Sequence, residues 1–308
     1  VRHSDTRLTE PRLTMDGQVI GGEHVVVRYL NLVKFPHTLF ALPFALVGVL
    51  AASWHAPVTA RQLVLIIVAF TSARWAALAF NMIADLQFDR VNPRNQRREL
   101  ARGVLSVRQA WVSVVVAIGI FLWAAWQFNP LTRALSPVAL LWVLSYSLSK
   151  RWFDWPHLWL GLSLAIAPVG AYLAIVGAWS TPWWVLCAIG LAVMTWVAAF
   201  DIFHALPDEE FDRGLGLHSS VTRLGRRGAL RLARALHATT IPMLALFGWG
   251  AGFGTWYAAG VVVAAAVLWH EHRLVRADDL SRIGPAFFQW NAILSATVFV
   301  LALIDRLV

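Results

Sequence analysis

The stretch FNMIADLQFDRVNPRNQRREL, Phe80 to Leu100, closes a long apolar run and then sets down Asn81, Asp85 and Asp89 at four-residue intervals, with Arg90, Arg94, Arg97 and Arg98 behind them. On a helix such a spacing drifts by about 40° per step, so the three side chains stack up one face within about 12 Å. The run in front of them, 62–84, is as long as a bilayer is thick. Acids at such a boundary cost several kcal/mol unless they are paired or bound to a metal, so an ionisable group there points to function.

Working outward, the 308 residues are 58% hydrophobic and 14% charged, with a mean hydropathy of +0.61. Soluble domains carry nearer about 25% charge. Apolar runs recur at 30–53, 62–84, 107–128, 133–150, 157–177, 182–204, 229–250, 254–272 and 286–305. Each matches the roughly 20 residues that a helix needs to cross a hydrocarbon core. The reading is an all-α integral membrane protein, a bundle of nine transmembrane helices around a central cavity. Alternating ten-residue strands are absent, which argues against a barrel.

The net charge of +9 does not mark a nucleic-acid binder, because the basic residues are sorted by connection. The connections after the second, fourth, sixth and eighth runs hold Arg90 to Arg108, Lys150 and Arg151, Arg213 to Arg234, and Arg273 to Arg282. The opposite connections and the C-terminal end hold only Arg61, Arg133 and Arg306. Positive loops stay in the cytoplasm. This places residues 1–24, read as a polar tail rather than a signal peptide, in the cytoplasm, leaves 25–308 as one domain, and sends the C-terminus outside. The single cysteine, Cys187, has no disulfide partner in the chain and is assigned a packing role.

A second acidic segment, FDIFHALPDEEFDR at Phe200 to Arg213, resembles the first and follows the sixth run as the first follows the second. Asp208 and Asp212 repeat the four-residue spacing, Asp201 stands seven residues earlier, and Pro207 is expected to break the helix or open a new short one. Such repeats in membrane proteins often place a site between their halves. Two ladders of hard oxygen donors suit Mg²⁺ shared with a phosphate, and Arg94 and Arg98 would reach the remaining phosphate oxygens. The alternative is a solvated rim in which the acids only pair with neighbouring arginines; two matched ladders make it the weaker reading.

Together these motifs resemble the paired aspartate-rich motifs of the UbiA superfamily of intramembrane prenyltransferases. NPRNQRREL at Asn92 to Leu100, YSLSKRW at Tyr146 to Trp152, LGLSLAIAPVGAYLA at Leu160 to Ala174 and GLHSSVTRLG at Gly216 to Gly225 extend the resemblance over nearly the whole chain. It is greatest to the 4-hydroxybenzoate polyprenyltransferase group, especially its menaquinone-pathway branch. Ala101 and Pro207 depart from the family pattern. The resemblance implies a cell-membrane enzyme that moves a polyprenyl chain from its diphosphate to an aromatic acid, with two Mg²⁺ ions. By position, Asn81, Asp85, Asp208 and Asp212 would hold metal or diphosphate, Arg94, Arg98 and Lys150 would hold diphosphate oxygens, and Asp89 and Asp201 would support them or contact the acceptor.

An allylic diphosphate ionises when its leaving charge is stabilised, and the cation then needs a dry, aromatic site. Of the aromatic residues, Tyr146 is the one candidate for that role. Arg74 lies within the second run, seven residues before Asn81 and on its face, and is read as a substrate-carboxylate or diphosphate contact, with a structural ion pair as the alternative. Lys34, with His37, is a further candidate substrate contact at the start of the first run, and His204 reads as structural. A secondary transporter with a carboxylate path is the competing class, although it would have no need of arginines beside paired aspartates. Homogentisate, haem, chlorin and glycerol lipid remain alternative acceptors.

Overall fold

The computed structural model describes residues 24–33, 36–280, 283 and 285–308. Lys34 and the N-terminal tail up to residue 23 lie outside the described residues, and so does the side chain of His37. Among the described residues the regular elements are all helical: α1 (Val25–Leu32), α2 (Pro36–Ala52), α3 (Ala60–Ala84), α4 (Leu86–Asp89), α5 (Val107–Trp126), α6 (Pro130–Ser149), α7 (Pro156–Val176), α8 (Trp183–Ala205), α9 (Glu209–Gly214), α10 (Ser220–Ala251), α11 (Thr255–Leu274) and α12 (Pro285–Leu307).

Among the described residues six segments are long and apolar enough to cross a bilayer: α3, α5, α6, α7, the Trp183–Gly214 segment and Gln289–Leu307 of α12. Six of the nine expected crossings meet that standard. The apolar part of α2, Phe40–Ala52, is shorter. The first turns of α10 carry Arg223, Arg226, Arg227, Arg231 and Arg234, and α11 ends in His270, Glu271, His272 and Arg273. Val112, Val115, Val116, Trp123, Val138, Leu141 and Val262 are exposed. Side chains of that kind crowd a surface that meets lipid, where the backbone's polar groups are already satisfied inside the helices.

Helix ends follow their local sequence. Thr59 with Gln62 and Ser106 with Gln109 form reciprocal capping boxes at the starts of α3 and α5, and Ser219 with Thr222 does the same for α10. Asn129 serves two helices. Its Oδ1 accepts from the Thr132 N–H at the start of α6, while its Nδ2 donates to the carbonyls of Leu173 and Ala174 in the last turn of α7, at 2.8 and 3.0 Å. Gly177 ends α7 in the left-handed region, with φ of 77°, where a side chain would be strained. Gly225, with φ of 68°, kinks α10 in the same way.

The main core is built by α2, α7, α8, α10, α11 and α12, with α8 packed between α7 and α10. A smaller core joins α1, α3 and α5 to Leu100 and Leu105. Two glycines set the closeness of the main core: a Cβ on Gly48 would overlap the Pro168 carbonyl, and a Cβ on Gly161 would overlap the Met194 carbonyl. Small residues let helices approach backbone to backbone. A Gly161→Val substitution is therefore expected to push α7 from α8 and destabilise the fold by about 3 kcal/mol, read as a loss of monodisperse, heat-stable protein in detergent. Buried polar contacts fix the register further: Trp196 of α8 donates to Asn291 of α12 at 2.6 Å, Asn291 donates to Glu271 of α11, and Thr195 meets Thr240 of α10 at 2.9 Å.

Candidate active site

Between α3, α5 and α6 on one side and α7 and α8 on the other lies a cavity of about 1060 Å³. Arg74, Asn81, Asp85, Asp89, Arg94, Arg98, Tyr146, Lys150, Asp201, Asp208 and Asp212 all line it, so every candidate among the described residues reaches the same space. Its remaining wall is mostly apolar, with Phe121, Phe128, Leu135, Ala167 and Leu191 among the lining residues. A charged end and an apolar body belong to one chamber.

The expected single ladder on α3 is corrected. α3 ends at Ala84, Asp85 is its C-cap with φ/ψ of −90°/−2°, and Asp89 belongs to the separate four-residue α4. Contact across the break is kept: the Asp85 N–H donates to the Asn81 carbonyl at 2.9 Å, and the Asn81 amide donates to Asp85 Oδ2 at 3.2 Å. The second motif has the same plan. α8 ends at Ala205, Pro207 sits in the 3-10 turn Leu206–Asp208, and α9 carries Asp212. In both motifs a long helix stops, a short one restarts, and the aspartates stand at the junction.

Cations from other segments meet these aspartates. Lys150, the C-cap of α6, holds Asp85 Oδ2 at 2.7 Å. Arg94 holds Asp208 Oδ2 at 2.6 Å, with Asn92 donating to the other oxygen at 3.3 Å. Arg98 Nη1 reaches both oxygens of Asp89, at 2.9 and 2.8 Å, and burial nevertheless pushes that carboxyl above its ordinary value. The pairing anticipated for a solvated rim thus occurs, but inside a cavity wall: Asp85 and Asp89 are each 4% exposed. The lysine segment is itself anchored, since Arg151 donates to the Ala84 carbonyl at 2.8 Å and the His218 N–H donates to the Lys150 carbonyl at 2.8 Å. Asp154 completes the clasp with His218 at 2.7 Å and Arg223 at 3.0 Å.

Oxygen donors are the right chemistry for a hard cation, and Asp85 Oδ1 is buried without a hydrogen-bond partner, as a carboxylate oxygen kept for a cation would be. Among the described residues no group of three or more His, Cys, Asp or Glu side chains converges tightly enough to enclose an ion. Lys150 and Arg94 stand against the carboxylates instead.

A model of the UbiA prenyltransferase family matches residues 41–293. The chain belongs to the UbiA prenyltransferase family. It is therefore an enzyme of prenyl transfer. The 4-hydroxybenzoate octaprenyltransferase of Herminiimonas arsenicoxydans is 30% identical over 237 residues, covering 76% of this chain and 81% of that protein. The enzyme of the same name from Nitrosospira multiformis is 31% identical over 238 residues, covering 76% and 79%. Among solved structures, the apo UbiA homolog from Aeropyrum pernix K1 superposes with a TM-score of 0.79 at 30% identity, covering 88% of this chain and 98% of that one. The UbiA homolog from Archaeoglobus fulgidus bound to GPP and Mg²⁺ shares the fold, with a TM-score of 0.66 at 20% identity and coverage of 91% and 100%.

Within this UbiA-family cavity, three features went unread in the sequence. Asn92 is 4% exposed and bonded to Asp208; it sits within the opening stretch but outside the four-residue spacing. His157, 4% exposed at the start of α7, pairs with Asp201 at 2.7 Å across 44 residues, a contact that no local spacing signals. Cys187 is exposed and lines the cavity, a correction to its packing role. Arg74 lies where the spacing puts it, on α3 in the cavity wall, with its guanidinium 5.5 Å from the Phe40 ring centroid.

Proposed function

We propose that this protein transfers an isoprenyl chain from an allylic diphosphate to an aromatic acid in quinone biosynthesis, with Mg²⁺ as the required ion. The observation that carries this is the cavity itself, whose wall combines carboxylates paired to cations, many apolar side chains, and a half-buried arginine, Arg74, that has no carboxylate partner among the described residues. Asn81, Asp85, Asp208 and Asp212 would hold the ions, two by analogy with the paired motifs, and Mg²⁺ would supply the charge that lets diphosphate leave. Lys150, Arg94 and Arg98 each rest on a carboxylate and are positioned to share their charge with diphosphate oxygens. Lys34 is proposed as a further substrate contact.

Tyr146 lines the cavity and is assigned the ring that would shield the allylic cation. The acceptor carboxylate is assigned to Arg74, and Asp89 to support of the diphosphate end through Arg98. The relatives' names favour 4-hydroxybenzoate, while the second motif favours a naphthoate of the menaquinone branch. The bundle is proposed to cross the membrane nine times, with α2, α10 and α11 added to the six apolar segments. The basic connections and the active site would then face the cytoplasm, with residues 25–308 as one domain.

The test is product formation by purified protein in lipid with geranyl diphosphate and Mg²⁺, offering 4-hydroxybenzoate and 1,4-dihydroxy-6-naphthoate in parallel. One prenylated acceptor, lost on adding EDTA, is the expected outcome and names the branch. Diphosphate binding without either product would move the reading to another acceptor class; no diphosphate binding would end it.

A further inference from the structure

The carboxylates of the cavity do not share one kind of partner. Asp85, Asp89 and Asp208 each face a permanent cation, Lys150, Arg98 and Arg94, which already occupies at least one oxygen of each carboxylate. Asp212 has been assigned with Asp208 to metal. Asp201 differs: its Oδ2 meets Nδ1 of His157 at 2.7 Å, and an imidazole is not obliged to be charged.

Exposure orders the pair. Both side chains border the cavity, but that of Asp201 is 34% exposed and that of His157 only 6%. His157 Nε2 is buried and has no hydrogen-bond partner. An orphaned lone pair is tolerated inside proteins better than an orphaned N–H, so the geometry favours a neutral ring with its proton on Nδ1, donated to Asp201. One carboxylate oxygen is thereby fixed and the other is left to the cavity. Asp201 lines the same cavity as Tyr146 and Arg74, to which the acceptor has been assigned.

We infer that His157 is a positioning residue for proton removal: it holds Asp201 aimed so that the carboxylate takes the ring proton of the aromatic acceptor. The inference rests on the aromatic-acceptor reading above. In the overall step the allylic C–O bond breaks with its electron pair leaving on diphosphate. A ring carbon forms the new C–C bond, and the proton on that carbon passes to Asp201. At Asp85, Asp89 and Asp208 a lysine or arginine nitrogen already stands against a carboxylate oxygen that would have to receive such a proton. His157 starts α7 directly after Pro156, and α7 is locked to α8 at Gly161, so the donor and its carboxylate are carried on two helices with little freedom to part.

Two amide variants of similar size separate positioning from packing. His157→Asn can present its N–H near the place of Nδ1, and His157→Gln near that of Nε2. Each is assayed with acceptor carrying hydrogen or deuterium at the alkylated carbon. For Gln, transfer is expected to fall about 30-fold, with KM for geranyl diphosphate unchanged and a primary isotope effect that the wild type lacks, because proton removal has become limiting. For Asn, most of the rate is expected to return, without the isotope effect. Equal losses in both variants, or a loss in Gln with no isotope effect, would overturn the inference. Wild-type protein that releases diphosphate yet never alkylates a ring would instead overturn the reading on which it rests.

Discussion

Replacing Asp85 with asparagine is expected to lower prenyl transfer about 10³-fold, the largest loss among single carboxylate changes at this site. The substitution keeps the volume and removes only the charge. Asp85 stands at the junction of α3 and α4, where one of its oxygens holds Lys150 and the other has no protein partner. Removing the charge leaves the Lys150 ammonium without the Asp85 counter-charge and replaces one of the two carboxylate oxygens by an amide nitrogen, which cannot take a cation. Asp89→Asn is the internal control. Both oxygens of Asp89 are already committed to Arg98, so its loss should cost about tenfold, through a loosened arginine rather than a lost ligand. Rates measured across a Mg²⁺ titration check both variants. The Asp85 variant should require far more Mg²⁺ than wild type and the Asp89 variant little more; an Asp85→Asn enzyme within about tenfold of wild type at ordinary Mg²⁺ would remove Asp85 from the metal set.

The two acidic motifs show what kind of information a sequence carries about such a site. Spacing of four residues and a position at the end of an apolar run were enough to collect Asn81, Asp85, Asp89, Asp208 and Asp212, because helix periodicity and bilayer thickness act locally and along the chain. Helix ends were legible for the same reason: Pro207 falls in the 3-10 turn between α8 and α9, and the breaks follow the acids closely. What the periodicity could not give was the backbone at Asp85. A single residue near φ/ψ −90°/−2° ends α3 one step early, while the N–H to carbonyl bond across the junction keeps the pattern looking helical.

Partners across the bundle were less legible. Lys150 was read as a diphosphate contact, and nothing in its neighbourhood along the chain says that its nitrogen rests on Asp85. His157 carries no signal at all, being one histidine at the start of an apolar run, and only the packing of α7 on α8 brings it to Asp201. Membrane crossing shows the same division. Composition alone supports α3, α5, α6, α7, α8 and α12, because their apolar faces are turned outward and inward alike, whereas α10 and α11 mix in arginine, histidine and glutamate, of which Glu271 Oε1 accepts from Asn291 inside the bundle.

Arg74 is the residue whose replacement should separate acceptor from diphosphate. It sits within α3 in the cavity wall, its Nε is buried without a hydrogen-bond partner, and no carboxylate lies within ion-pair distance of it among the described residues. Its guanidinium lies over the face of Phe40, a weak substitute for an anion. An unpaired cation inside a membrane protein is costly, and the economical reason to keep one is a ligand that brings the missing charge. Arg74→Ala is therefore expected to lower kcat/KM for 4-hydroxybenzoate by about 10³-fold, near 4 kcal/mol, the range for losing one side of a buried, hydrogen-bonded charge pair. KM for geranyl diphosphate should stay within about twofold, because the carboxylates and cations at the other end of the cavity are untouched. Phenol, which has the same reacting ring and no carboxylate, is the discriminating acceptor: wild type should use it poorly, and the alanine variant no worse. Arg74→Lys should recover only part of the loss, since an ammonium meets a carboxylate at one point where guanidinium meets it at two. If phenol and 4-hydroxybenzoate lose equally in Arg74→Ala, the arginine holds the helices rather than the substrate, and the acceptor carboxylate must be sought elsewhere in the cavity.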